Sequence, residues 1–151
     1  MANYCQFEIE LDANYPQETE KLLEAFKKLC AETAVNTATV HMMPRTSHDD
    51  PFIIYGECKW TAEPAVEVCK ELLQLTQIDS AEIVWSELGS EGLGVINVYL
   101  DDDGTTSHSE VYRTEPPTTI AEIKRVIKEC PTLEPQLEWY LDDLEAEEAD
   151  A

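Results

Sequence analysis

The sequence predicts an α+β fold in which helices pack on an antiparallel sheet. Two observations carry this. Apolar residues recur with period two in some segments and at helical spacing in others, in the order strand–helix–strand–strand–helix–strand–strand. Hydrophobic residues make up 43 % of the 151, enough for a modest core, although the formal net charge is -22. The charge therefore belongs on the surface of a folded body.

Residues 4–11 alternate. Cys5, Phe7, Ile9 and Leu11 point one way, and Gln6, Glu8 and Glu10 the other, as in a half-buried strand. Asn14-Tyr15-Pro16 makes a turn, and Pro16 can open a helix. Leu22, Leu23, Phe26, Leu29 and Cys30 then place a helix over about 17–32. Val35 to Met43 reads as a second extended stretch, and Pro44 to Pro51 as a polar loop with Arg45, His48, Asp49 and Asp50.

Residues 52–60 form the next strand, with Phe52, Ile54, Gly56, Cys58 and Trp60 on one face. Thr61 is the expected N-cap of a helix with Pro64 in its first turn and Ala65, Val66, Cys69, Leu72, Leu73 and Thr76 on one side. Strands are expected at 81–88, 94–101 and 107–114, with glycines 89, 92 and 94 in one turn and Asp103-Gly104 in the next. After Pro116-Pro117, Ile120, Ile123, Ile127 and Cys130 mark a helix over about 118–130. Residues 1–132 are read as the domain and 133–151 as an acidic C-terminal helix and tail, with 145–151 disordered.

Chemistry-bearing patterns are weak. The five cysteines are odd in number and lack a C-x-x-C pair, so buried reduced thiols are expected. The histidines His41, His48 and His108 do not join cysteines at zinc-ligand spacing. Asp101-Asp102-Asp103-Gly104 fails the EF-hand pattern, because the glycine falls at position four and Tyr112 at position twelve. His48-Asp49-Asp50 are adjacent in a loop, where a base and its orienting carboxylate rarely face each other. No nucleophile elbow, Walker or dinucleotide motif occurs. The expectation is a non-enzyme without cofactor or metal.

The acids are the strongest constellation. The chain has 32 acidic residues against 10 basic ones. Such a surface repels nucleic acid and anionic membrane and attracts basic proteins. Glu67 and Glu71 lie one helical turn apart, Asp101, Asp102 and Asp103 crown a hairpin, and Glu134, Glu138, Asp142, Asp143 and Glu145 run along the last helix. From Glu129 onward there are nine acidic residues and no basic one. With Trp139 as an aromatic anchor, these residues are the expected partner-binding set. Carboxylates at this density imitate nucleic-acid phosphates, and plain solubility is the competing reading. With no apolar run near 18 residues and no basic, apolar leader at Met1, a cytoplasmic protein is expected.

Met1-Ala2-Asn3-Tyr4-Cys5 before an alternating strand resembles the start of the YubB-like family, small ferredoxin-like proteins of plasmids and phages that open with Met-Ala-Asn-Trp-Cys. Tyr55-Gly56-Glu57-Cys58-Lys59-Trp60 and Glu91-Gly92 to Tyr99 with Asp102-Asp103-Gly104 are also similar. Tyr4 replaces the tryptophan, and the acidic end lies outside the pattern. The resemblance implies a ferredoxin-like antiparallel sheet with helices on one face, to which the extra hairpin and the acidic helix are added. It also implies a mobile-element origin and brings no established activity or catalytic residues to carry over. Together with the charge, it leads to the expectation of a nucleic-acid mimic, anti-CRISPR-like, occupying the basic nucleic-acid-binding surface of a host defence complex. The alternative is an assembly module acting as a homodimer through a sheet edge or the C-terminal helix.

Overall fold

The computed structural model describes residues 4–11, 19–31, 33–43 and 50–150. Among them it has one open six-stranded antiparallel sheet and four α-helices, a mixed α+β fold. In chain order these are β1 (Tyr4–Leu11), α1 (Thr19–Cys30), β2 (His41–Met42), β3 (Phe52–Lys59), α2 (Glu63–Thr76), β4 (Ser80–Glu87), β5 (Gly92–Leu100), β6 (Thr106–Thr114), α3 (Ile120–Glu129) and α4 (Glu134–Asp150). The strands lie in the order β2-β3-β1-β4-β5-β6.

Successive side chains of a strand point to opposite faces, so Ile83 and Val84 report on different sides of the sheet. Ile83 sits in a core with Phe7, Ile9, Leu11, Phe52, Ile54 and the buried sides of α1 and α2. Val84 sits in a second core with Leu93 and Val95 of β5, Ile123 and Val126 of α3, Leu133, and Leu137 of α4. Helices therefore cover both faces, which corrects the expectation of helices on one face. The cause is local: Ile83, Val84 and Trp85 are consecutive and all buried, and a strand apolar on both sides needs cover on both sides. Full burial of a side chain such as Leu137 contributes about 1.5–3 kcal/mol, so α4 is anchored at its N-terminal half.

Four other expectations change. Only His41–Met42 of the stretch Val35 to Met43 is a strand. Val35 makes a single bridge to Cys58, and Thr37–Thr39 coil into a 3-10 turn that Asn36 caps by accepting from Ala38 N at 3.2 Å. β3 ends at Lys59, one residue early. Trp60 takes φ 70°, is 53 % exposed, and is spanned by a Thr61 N to Lys59 O bond of 2.8 Å, a three-residue γ-turn. Residues 145–150 continue α4 and are not disordered. Alanine, leucine and glutamate are strong helix formers, and no glycine or proline follows Pro135 to stop the helix. The cap of α2 also shifts by one residue, to Ala62, while the Thr61 hydroxyl still accepts from Glu63 N at 3.3 Å. The turn at Asn14-Tyr15-Pro16 and the loop residues Arg45, His48 and Asp49 lie outside the described residues.

Two glycines are required by what crosses them. Trp85 pairs with Gly94 and Phe7 with Gly56 across neighbouring strands. A Cβ on Gly94 would lie 2.5 Å from Tyr112 O and 2.9 Å from Trp85 Nε1, and one on Gly56 would lie 2.5 Å from Phe7 Cζ. Each aromatic ring thus lies over backbone that only glycine leaves bare.

The five cysteines are buried and free. Burial pushes the thiols of Cys5, Cys30 and Cys69 up to about 12 and that of Cys58 up to about 11. They remain protonated and pack as small hydrophobes.

Candidate functional site

The predicted acidic residues divide between the two faces of the sheet. Glu67 and Glu71 are exposed on α2, and Lys70 lies 3.6 Å from Glu67. Gln74 Nε2 donates to Gly104 O at 3.3 Å and so holds the β5–β6 tip beside the end of α2. The tip itself is turn chemistry. Gly104 N donates to Asp101 O at 2.9 Å, and Asp101 N to Thr105 O at 2.7 Å. Asp101 also accepts from the Thr105 and Ser107 hydroxyls. Asp103 accepts from the Thr105 hydroxyl at 2.7 Å and the Thr105 N–H, which together lower its pKa. Asp102 is exposed.

The other group is on α4, against the opposite face. Glu134, Glu138, Asp142, Asp143 and Glu145 are all exposed, and so are Glu147 and Glu148. The helix rises about 1.5 Å per residue, so the seven acids from Glu134 to Glu148 span about 21 Å. That is about one charge per 3 Å, close to the 3.4 Å spacing of phosphates along one DNA strand. No lysine or arginine occurs on α4. Leu133, Leu137, Tyr140, Leu141 and Leu144 face the second core and fix which side carries the acid. Trp139 points outward, 57 % exposed, with its ring 5.6 Å from that of Tyr140.

Between α4 and the sheet runs a groove of about 640 Å³. Its floor is the face of β1 and β3 turned away from α1 and α2. One cross-strand row there runs His41, Tyr55, Glu8, Val84, Val95, Tyr112. Tyr4, Gln6 and Glu57 extend the floor, and Pro135, Gln136 and Trp139 form the α4 wall. His41 stacks on Tyr55 with centroids 5.1 Å apart and planes 15° apart. Gln136 Nε2 donates to Glu8 Oε2 at 2.9 Å, tying helix to sheet. Burial raises the Tyr55 pKa, and the charge of Glu8 and its hydrogen bond add to the rise.

The sheet face beyond the groove is acidic as well. Glu10 stands opposite Glu82, with Glu8 one pair away on the same face. Burial raises the Glu82 pKa, and the charges of Glu10 and Glu8 add to it. Among the described residues no group of three or more His, Cys, Asp or Glu side chains is placed to hold a metal ion. Nor is any helix among them long and apolar enough to cross a membrane.

Sequence reasoning names Trp139 as a partner-contact residue, and the structure places it at the groove. Tyr4, Glu8, His41, Tyr55, Glu57 and Gln136 are absent from the expected set. The signal for Glu8 and Tyr55 is the alternation itself, which turns both away from the apolar faces of their strands. Nothing in the sequence spacing joins them to Gln136. No family model matches the chain, and neither a curated protein nor a solved structure matches it.

Proposed function

We propose that the protein is a non-enzymatic acidic binding protein whose α4 surface occupies the basic nucleic-acid-binding surface of another protein, as a nucleic-acid mimic. The observation that carries this is the run of seven exposed carboxylates on α4 at about one per 3 Å, with no cation on the helix. Like charges at i and i+4, such as Glu134, Glu138 and Asp142, destabilise a helix by a few tenths of a kcal/mol per pair. A cationic partner surface relieves that repulsion on binding, so the helix is better matched to a basic partner than to water.

A finer reading of the fold accompanies this. The order β2-β3-β1-β4 with α1 and α2 on one face supports a ferredoxin-like unit, extended at the β4 side by β5 and β6. A mobile-element origin and an anti-CRISPR-like target rest on the short stretches shared with the YubB-like family and on analogy. The dimeric alternative has less support. β2 is two residues long, β6 carries a bulge at Val111 between Glu110 and Tyr112, and the apolar side of α4 is already used against the sheet.

The test is capture of basic proteins from a bacterial lysate on the immobilised chain, eluted by a salt gradient. A nucleic-acid-binding partner should elute below about 0.5 M salt, where the Debye length falls well under 10 Å. Glu138→Gln, Asp142→Asn and Asp143→Asn together should move elution to lower salt. Retention unchanged at 1 M salt and after the triple substitution defeats the reading.

A further inference from the structure

The groove between α4 and the sheet has a composition that the mimicry of α4 alone does not explain. It joins Glu8 and Glu57, and a third carboxylate, Glu87, that is already taken up by the N–H groups of the β4–β5 turn, to the rings of Tyr4, His41, Tyr55 and Trp139 in one cavity of about 640 Å³. Neither lysine nor arginine is among the lining residues. Tyr4 and Trp139 are 49 % and 57 % exposed, so two large aromatic surfaces flank the opening without being used in either core.

The polar contacts give the groove a fixed negative floor. Glu8 is held from the helix side by Gln136 Nε2. An ionised carboxylate can only accept, so this bond also fixes which end of the Gln136 amide faces Glu8. The other end, Gln136 Oε1, is out of solvent with no hydrogen-bond partner among the described residues. Glu8 is therefore positioned but not neutralised.

We infer that this groove receives an arginine side chain presented by the basic partner, an inference that rests on the partner-binding reading above. The chemistry selects the guanidinium among cations. It is planar and stacks on aromatic faces, it offers five donors in a fixed fork, and it gives up water more easily than an ammonium. Carboxylates with open acceptor positions and exposed π faces are what that group uses. A lysine ammonium would find the charge but make less of the rings, and an apolar side chain would strand both carboxylates.

The experiment is an NMR titration of the full chain with N-acetyl-arginine methylamide and, in parallel, with its lysine counterpart. The arginine probe should give saturable shifts at the Trp139 indole and at Tyr55 and His41, and bind several-fold more tightly than the lysine probe. Glu8→Gln with Glu57→Gln should weaken it by about tenfold, the loss of one charge-assisted bidentate contact. Trp139→Ala, at a side chain that contributes to neither core, should weaken it by about threefold and serves if the double variant does not fold. The α4 triple substitution should leave it within about twofold, since those acids do not line the groove. Absence of saturable shifts at these residues, equal binding of the lysine probe, or equal weakening by the α4 triple overturns the inference. The probe needs no partner protein, so its result is separable from failure of the lysate capture.

Discussion

Glu10 of β1 stands directly opposite Glu82 of β4, on the sheet face that α1 and α2 do not cover. Like charges in such a pair are destabilising. Burial and the two neighbouring glutamates raise the Glu82 pKa above the ordinary carboxylate value. In the window just above that value the folded state binds more protons than the unfolded one, so this group's contribution to stability falls as pH rises. Glu82→Gln should therefore stabilise the protein by about 0.5 kcal/mol at pH 7. It should give no gain below the ordinary carboxylate range. Urea unfolding at both pH values measures this, and destabilisation at pH 7 contradicts it.

Glu87 has the opposite sign. Burial pushes its pKa up, but the N–H groups of Gly89, Ser90 and Glu91 and the Ser90 hydroxyl, at 2.7–2.8 Å, outweigh burial and lower it. Its stabilisation is present above the ordinary carboxylate value and is lost as pH falls through the lowered native value. Glu87→Ala should cost about 2 kcal/mol at pH 7, and progressively less in acid. Denaturant midpoints across the acid range check the slope.

Gly94→Ala should cost about 1–3 kcal/mol, because the new methyl meets Tyr112 O and the Trp85 ring edge at once. Trp85 is 5 % exposed, so displacement of its ring should red-shift its share of the fluorescence. Native stability with an unchanged spectrum would show that the β5–β6 backbone yields there.

Gln77 closes α2 in the left-handed region, φ 59° and ψ 31°, with its N–H on Leu73 O. Glycine adopts that conformation without a Cβ penalty. Gln77→Gly should raise stability by about 0.5 kcal/mol despite losing the 2.7 Å bond from its amide to Gln74 O. A thermal melt decides the sign.

The elements legible in the sequence are those whose signal is local. β1 is bounded as its alternation predicts, because Cys5 to Leu11 is regular and uninterrupted. The C-terminal segment reads as an acidic helix whose end, residues 145–151, is disordered, yet the helix runs on to Asp150. There the spacing of Leu133, Leu137, Tyr140 and Leu144 carries more weight than the charge, since it docks the helix on β4 and β5. The stretch Val35 to Met43 misleads in the other direction. Its β-branched residues invite a strand, but the Asn36 side chain and the Thr39 hydroxyl bond to nearby backbone and turn the chain. The groove is not legible at all. Glu8 meets Gln136 from 128 positions away, and only strand register and the course of α4 bring them together.

The two cores also differ in when they can form. The first is drawn from residues 7–98, while the second needs Leu133 and Leu137 to cover Val84, Leu93 and Val95. During synthesis the chain therefore carries a finished sheet with a bare apolar strip until α4 emerges from the ribosome. That strip lies next to the open β6 edge, a combination that invites association between nascent chains. The same helix that closes the strip brings the densest negative charge with it, so the interval of greatest stickiness ends at the moment mutual repulsion is strongest.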